Sequence, residues 1–141
     1  MSYDNVANGE ITNGYQGVYE FVTEYLSQVY RRQVTDISDT VWCPEWWHHS
    51  EAVIRLSALW QAWEHHRLQG GTGISVWFLD HADPHMTKLF DPKGPFKYCS
   101  VRNGHKGMLE PLPLKKPEGA DAQMFGSPDI DRLWQKGRVP D

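Results

Sequence analysis

Apolar residues recur at helical spacing in three stretches of the chain. Between residues 17 and 33, Val18, Phe21, Val22, Tyr25, Val29 and Tyr30 share one stripe, which predicts an amphipathic helix. Arg31 and Arg32 then fall in its last turn, where cations suit the helix dipole. From 51 to 68, Ala52, Leu56, Leu59 and Trp63 trace a second face that Val53 and Trp60 widen. This is the expected central helix, with Ser50 as its N-cap, Glu51 in its first turn and Gly70-Gly71 as its stop. Ser75 is the expected cap of a third helix through VWFLDHA. Asp83-Pro84 then reads as a fresh cap and first position, with a bend at Pro84. Proline lacks a donor, and its ring clashes with a preceding carbonyl.

The remaining stretches carry turn chemistry. Residues 1–14 contain Asn8-Gly9 and Asn13-Gly14 and read as a loose lead-in. Residues 34–41 are a polar connector, after which Pro44 suits the first position of a short helical turn directly following Cys43. Asp91 to Pro95 is a turn. The Gly- and Pro-rich stretch 96–120 is expected to be extended, with room for a short hairpin from strands near 97–102 and 107–110. Residues 127–136 predict a last short helix, capped by Ser127 with Pro128 in its first position. The expected fold is mostly α: one small helical domain over 15–141, built from four or five helices around the 51–68 helix.

Composition narrows the function classes. At 141 residues the chain has the length of one domain and needs no disulfide or metal to bury a core. Seven Trp, six Tyr and five Phe supply large apolar area, so most of them are expected inside. Trp46-Trp47 is the pair with a second reading, as an exposed binding anchor, because Trp is enriched at interface hot spots. The net charge is −4, and the only basic doublets are Arg31-Arg32 and Lys115-Lys116. A nucleic-acid interface usually needs a concentrated basic face. No apolar run is long enough for a membrane span. The opening MSYDNVANGE is polar and acidic, unlike a secretory signal, so a cytoplasmic protein is expected. In that compartment Cys43 and Cys99 are expected as buried thiols or metal ligands rather than a disulfide.

Zinc is commonly held by four thiolate and imidazole ligands in a tetrahedron. The set that suits it here is Cys43, His49, His85 and Cys99, with His48 and His81 as alternates. All but Cys99 sit at expected helix starts or bends, and the Gly94-Pro95 turn can fold Cys99 back. A rival reading places a metal-dependent hydrolase centre on His81, Asp83 and His85, although no His-Glu-x-x-His run is present. Nucleophile-elbow and phosphate-loop motifs are absent as well.

The blocks Trp42-Cys43-Pro44, Trp46-Trp47, His49 before Glu51-Ala52, Leu59-Trp60 with Ala62-Trp63-Glu64, Asp80 to His85, and Gly94-Pro95-Phe96 with Cys99 together resemble an uncharacterised actinobacterial family. It is the domain of unknown function numbered 4913, found on chromosomes, plasmids, integrative elements and phages. Ser50 stands where that pattern has proline. The resemblance implies an actinobacterial or phage origin and brings no catalytic residue with it. The function expected is a non-enzymatic accessory protein of a phage or mobile element. It would bind a host or phage protein, with a structural zinc site as an option. A DNA-binding regulator and a virion component are the other versions.

Overall fold

The computed structural model describes residues 6–7, 10–35, 39–125 and 132. The expected helix over 127–136 lies outside the described residues, apart from Arg132. The chain divides into two compact units, Met1–Leu109 and Glu110–Asp141. The first holds β1 (Val6–Ala7) paired antiparallel with β2 (Glu10–Ile11), Val6 opposite Ile11. The pair flanks Asn8-Gly9, a dipeptide that two-residue hairpins favour. Helix α1 comprises Val18–Phe21, a π-helical stretch Val22–Leu26 and Ser27–Val29. A 3-10 turn, Trp46–His48, leads into α2, Ser50–His66. Helix α3 comprises Gly73–Val76, a π-helical stretch Trp77–Ala82 and Asp83–Phe90. In the second unit, α4 is Gly119–Phe125. The mostly α class is therefore as the periodicity predicts. Among the described residues, no helix is long and apolar enough to cross a membrane.

Several details differ from the sequence expectation. The wide π stretch of α1 rotates the residues C-terminal to it. Leu26 takes a buried place, while Val29 turns outward at 38% exposure. The helix ends at Tyr30, so Arg31 and Arg32 lie beyond it rather than in its last turn. The helix is not interrupted at Pro84. Asp83 is helical (φ −60°, ψ −46°) and caps nothing. The π stretch just before Pro84 moves the carbonyl that the ring would strike, so the helix continues. The expected hairpin in 97–110 reduces to one antiparallel bridge, Ser100 with Gly104.

The core gathers around α2. Its buried face is Ala52, Leu56, Leu59 and Trp63, as expected, with Glu64 added. Phe21 and Tyr25 of α1, Trp63, Trp77 of α3 and Tyr15 pack with ring centroids 5.0–6.4 Å apart, the range of tilted and edge-on aromatic pairs. Trp77 is fully buried, and its indole N–H donates to the Leu59 carbonyl at 3.0 Å. The turn from α2 to α3 is tight. A Cβ on Gly73 would lie 2.3 Å from the His66 carbonyl oxygen, so only glycine fits.

Glu64 anchors the chain leading into α1. Its carboxylate accepts from the backbone N–H of Gly14 (2.7 Å) and Tyr15 (2.9 Å), from Trp60 Nε1 (2.9 Å) and from Arg67 Nε (2.9 Å). Burial raises its pKa, but these donors outweigh burial and hold it below the ordinary carboxylate value.

Candidate metal centre

Two chain segments meet at one point. The first begins where the Val41 N–H donates to the Phe90 carbonyl at 3.0 Å. The Trp42 ring packs against Phe90 and Phe96, with centroids 5.9 and 5.0 Å away. These contacts place Cys43, which is fully buried. The 3-10 turn then brings the chain back to His49, which is extended (φ −116°, ψ 113°) at the N-cap of α2. Ser50, expected as the cap, is instead the first helical residue. The His49 side chain does not cap the helix; its ring lies edge-on to Phe96, 5.1 Å between centroids.

The second segment follows α3. The Gly94 N–H donates to the Asp91 carbonyl, Lys97 N–H to Gly94 and Cys99 N–H to Phe96, at 2.8, 3.1 and 2.9 Å. A Cβ on Gly94 would sit 2.5 Å from the Lys88 carbonyl oxygen, so this turn also requires glycine. Tyr98 adopts φ 75°, a left-handed conformation that costs a non-glycine residue about 1–3 kcal/mol. It turns the chain so that Cys99 faces inward. The Ser100–Gly104 bridge, with Gly104 at φ 79°, then returns the chain to His105.

Cys43, His49, Cys99 and His105 each offer a ligand atom, and all four atoms lie within 4.8 Å of one another. His105 Nδ1 is 3.1 Å from His49 Nε2 and 3.5 Å from Cys43 Sγ. Cys99 Sγ is 3.4 Å from His49 Nε2 and 3.9 Å from His105 Nδ1. A tetrahedron built with ordinary Zn–N and Zn–S bonds has edges of about 3.3 Å between nitrogens and about 3.5 Å between nitrogen and sulfur. These four separations lie within about 0.4 Å of those edges. The Lys106 backbone N–H donates to Cys99 Sγ at 3.3 Å, and the Lys106 carbonyl lies 3.5 Å from the same sulfur.

The electrostatics act on the thiol and the imidazole in opposite senses. Burial, reinforced by Cys99, pushes the Cys43 thiol up to about 12, although a backbone hydrogen bond at Glu45 pulls the other way. A cation would therefore have to displace its proton. Burial, with His105 and His48 nearby, lowers the His49 pKa, favouring the neutral imidazole that ligates metal.

Three of the four residues expected as ligands converge; His85 does not. His85 Nδ1 faces Arg55 Nη1 at 3.0 Å, on α3, and burial with that guanidinium lowers its pKa. His105 fills the fourth place. Of the alternates, His48 lies beside the cluster, its ring centroid 4.9 Å from that of His105 and its Nε2 3.5 Å from the Glu45 carboxylate, while His81 Nε2 lies 3.3 Å from His66 Nε2. Asp83 accepts from the Tyr30 hydroxyl at 2.6 Å. His81, Asp83 and His85 thus engage three different partners. Of the tryptophan pair, Trp46 is buried and Trp47 is 46% exposed.

A family model for a domain of unknown function (DUF4913) matches residues 15–118. The chain belongs to that family. The match spans α1 to α3, all four converging side chains and the start of the second unit. No curated protein and no solved structure matches the chain. Family membership therefore brings no activity, and the site's chemistry must carry the functional reading.

Proposed function

We propose that this chain is a zinc-stapled, non-enzymatic accessory protein that acts by binding another protein. The setting that the family resemblance implies is an actinobacterial phage or mobile element. The observation that carries the zinc reading is the convergence of two thiols and two imidazoles at tetrahedral spacing. Four protein ligands fill a zinc coordination sphere and leave no open position for substrate or water, which marks a structural site rather than a catalytic one. Zinc here would tie the strap preceding α2 to the loop following α3. The binding reading rests on the exposed Trp47 and on the lack of convergence among His81, Asp83 and His85.

Elemental analysis of purified protein tests the zinc site, with Cys43→Ser, Cys99→Ser, His105→Ala and His85→Ala beside the wild type. One zinc per chain is expected in the wild type and in His85→Ala. The other three variants should lose zinc affinity by more than about 100-fold, beyond the effect typical of an outer-shell partner. No zinc in any sample, with unchanged stability throughout, would rule the site out.

A further inference from the structure

A groove of about 600 Å³ opens between α1 and the strap that carries Trp42 and Trp46–Trp47. Its rim is aromatic. Tyr19, 61% exposed, stacks on Trp46 with centroids 6.3 Å apart and meets Trp47 edge-on at 6.0 Å. Among the described residues, the only charged ones lining the groove are Arg31 and Arg32. Both are held by neutral partners. Arg31 donates to the Gln28 carbonyl and side-chain oxygen at 3.1 and 3.0 Å. Arg32 donates to the Arg31 carbonyl at 2.9 Å, and its guanidinium lies 5.3 Å from the Tyr30 ring and 5.9 Å from the Phe90 ring. Among the described residues no carboxylate is in ion-pair range of either. Arg31 and Arg32 thus stand at the end of an aromatic trough, and Arg32 also borders a second hollow that Asp39, Asp83 and Asp91 line.

We propose that this groove docks an acidic protein segment, with a bulky apolar side chain against Tyr19 and Trp47 and a carboxylate on Arg31 and Arg32. Trp, Tyr and Arg are the residue types that dominate interface hot spots, and guanidinium–carboxylate pairs are among the strong charge-assisted contacts. A protein segment suits the groove better than single-stranded nucleic acid, because two cations on an acidic chain give a weak phosphate track. Trp46 and Trp47 lie between Cys43 and His49, two of the four converging residues. Resting on the proposed zinc site, the docking surface is therefore preorganised by metal: with both ends of its strap fixed, less ordering remains for binding.

The test is selection of a random dodecapeptide display library on the zinc-loaded protein. Selected peptides are then measured by fluorescence anisotropy against wild type, Trp47→Ala and the Arg31→Glu/Arg32→Glu double variant. The expected result is enrichment of an aromatic or leucine residue flanked by Asp or Glu. Affinity should fall at least tenfold on each variant while zinc content and circular dichroism stay unchanged. Failure to enrich, enrichment of basic peptides, or peptides indifferent to both variants would overturn the docking site. Tighter, salt-sensitive binding of a labelled single-stranded DNA twelve-mer would overturn it in favour of nucleic acid. The peptides are also measured after chelation, with zinc content assayed in parallel. Acidic peptides that depend on Trp47 and the arginines but bind a zinc-free chain equally well keep the groove and remove its coupling to metal.

Discussion

At the residue scale, Glu64 is the buried charged residue among the described residues. It and Arg67 form an ion pair whose side chains are only 10% and 3% exposed. Removing one partner of such a pair leaves an uncompensated buried charge, at a cost of about 3–5 kcal/mol. Denaturant unfolding of Glu64→Gln at neutral pH should show a loss of that order. The carboxylate's folded pKa lies below its ordinary value of 4.5. The unfolded chain therefore takes up this proton first as pH falls. The stabilisation is complete above about 4.5 and is lost as pH drops through the folded value. The gap between wild type and Glu64→Gln should accordingly narrow below pH 4.5; a gap that stays constant into acid would show that the charge is not responsible. Glu64 is hard to read from sequence, since one carboxylate among the apolar residues of α2 looks like a solvated helix position. His105 is hidden for another reason. It lies in a Gly/Pro-rich stretch where periodicity carries no signal. The clue that finds it is an interval: Cys43 to His49 and Cys99 to His105 both skip five residues.

At the scale of elements, the apolar spacing of α2 gives its buried face residue by residue, because an unbroken α-helix keeps its phase. Helices α1 and α3 each contain a π stretch, which shifts that phase and cannot be read from a 3.6-residue pattern. Hence Val29 turns out where burial is predicted, and the helix runs on through Pro84 where a fresh cap and start are predicted. The turn after α3 sets the second pair of converging residues, and its tightest point is Gly94. Adding a methyl group 2.5 Å from a backbone oxygen forces the turn open, and overpacking of this kind costs about 1–3 kcal/mol. Gly94→Ala should lower stability by that amount and weaken zinc binding together, because Cys99 and His105 move with the turn. A variant that loses stability but holds zinc with wild-type affinity would show that the loop is positioned from elsewhere.

On the scale of the whole molecule, the converging side chains join positions far apart in the chain. Residues 43–49 precede the central helix, and residues 99–105 follow α3. A single bound ion would close the intervening segment into a loop and lock the strap that carries Trp46 and Trp47. The proposed staple depends on that closure, and the preorganisation of the proposed docking surface rests on it. X-ray absorption at the zinc edge of the metal-loaded protein addresses it most directly. Two sulfur scatterers at about 2.3 Å and two nitrogen scatterers at about 2.0–2.1 Å are the expected shell. A shell of oxygen and nitrogen alone, or a protein that retains no zinc after dialysis, would contradict the account.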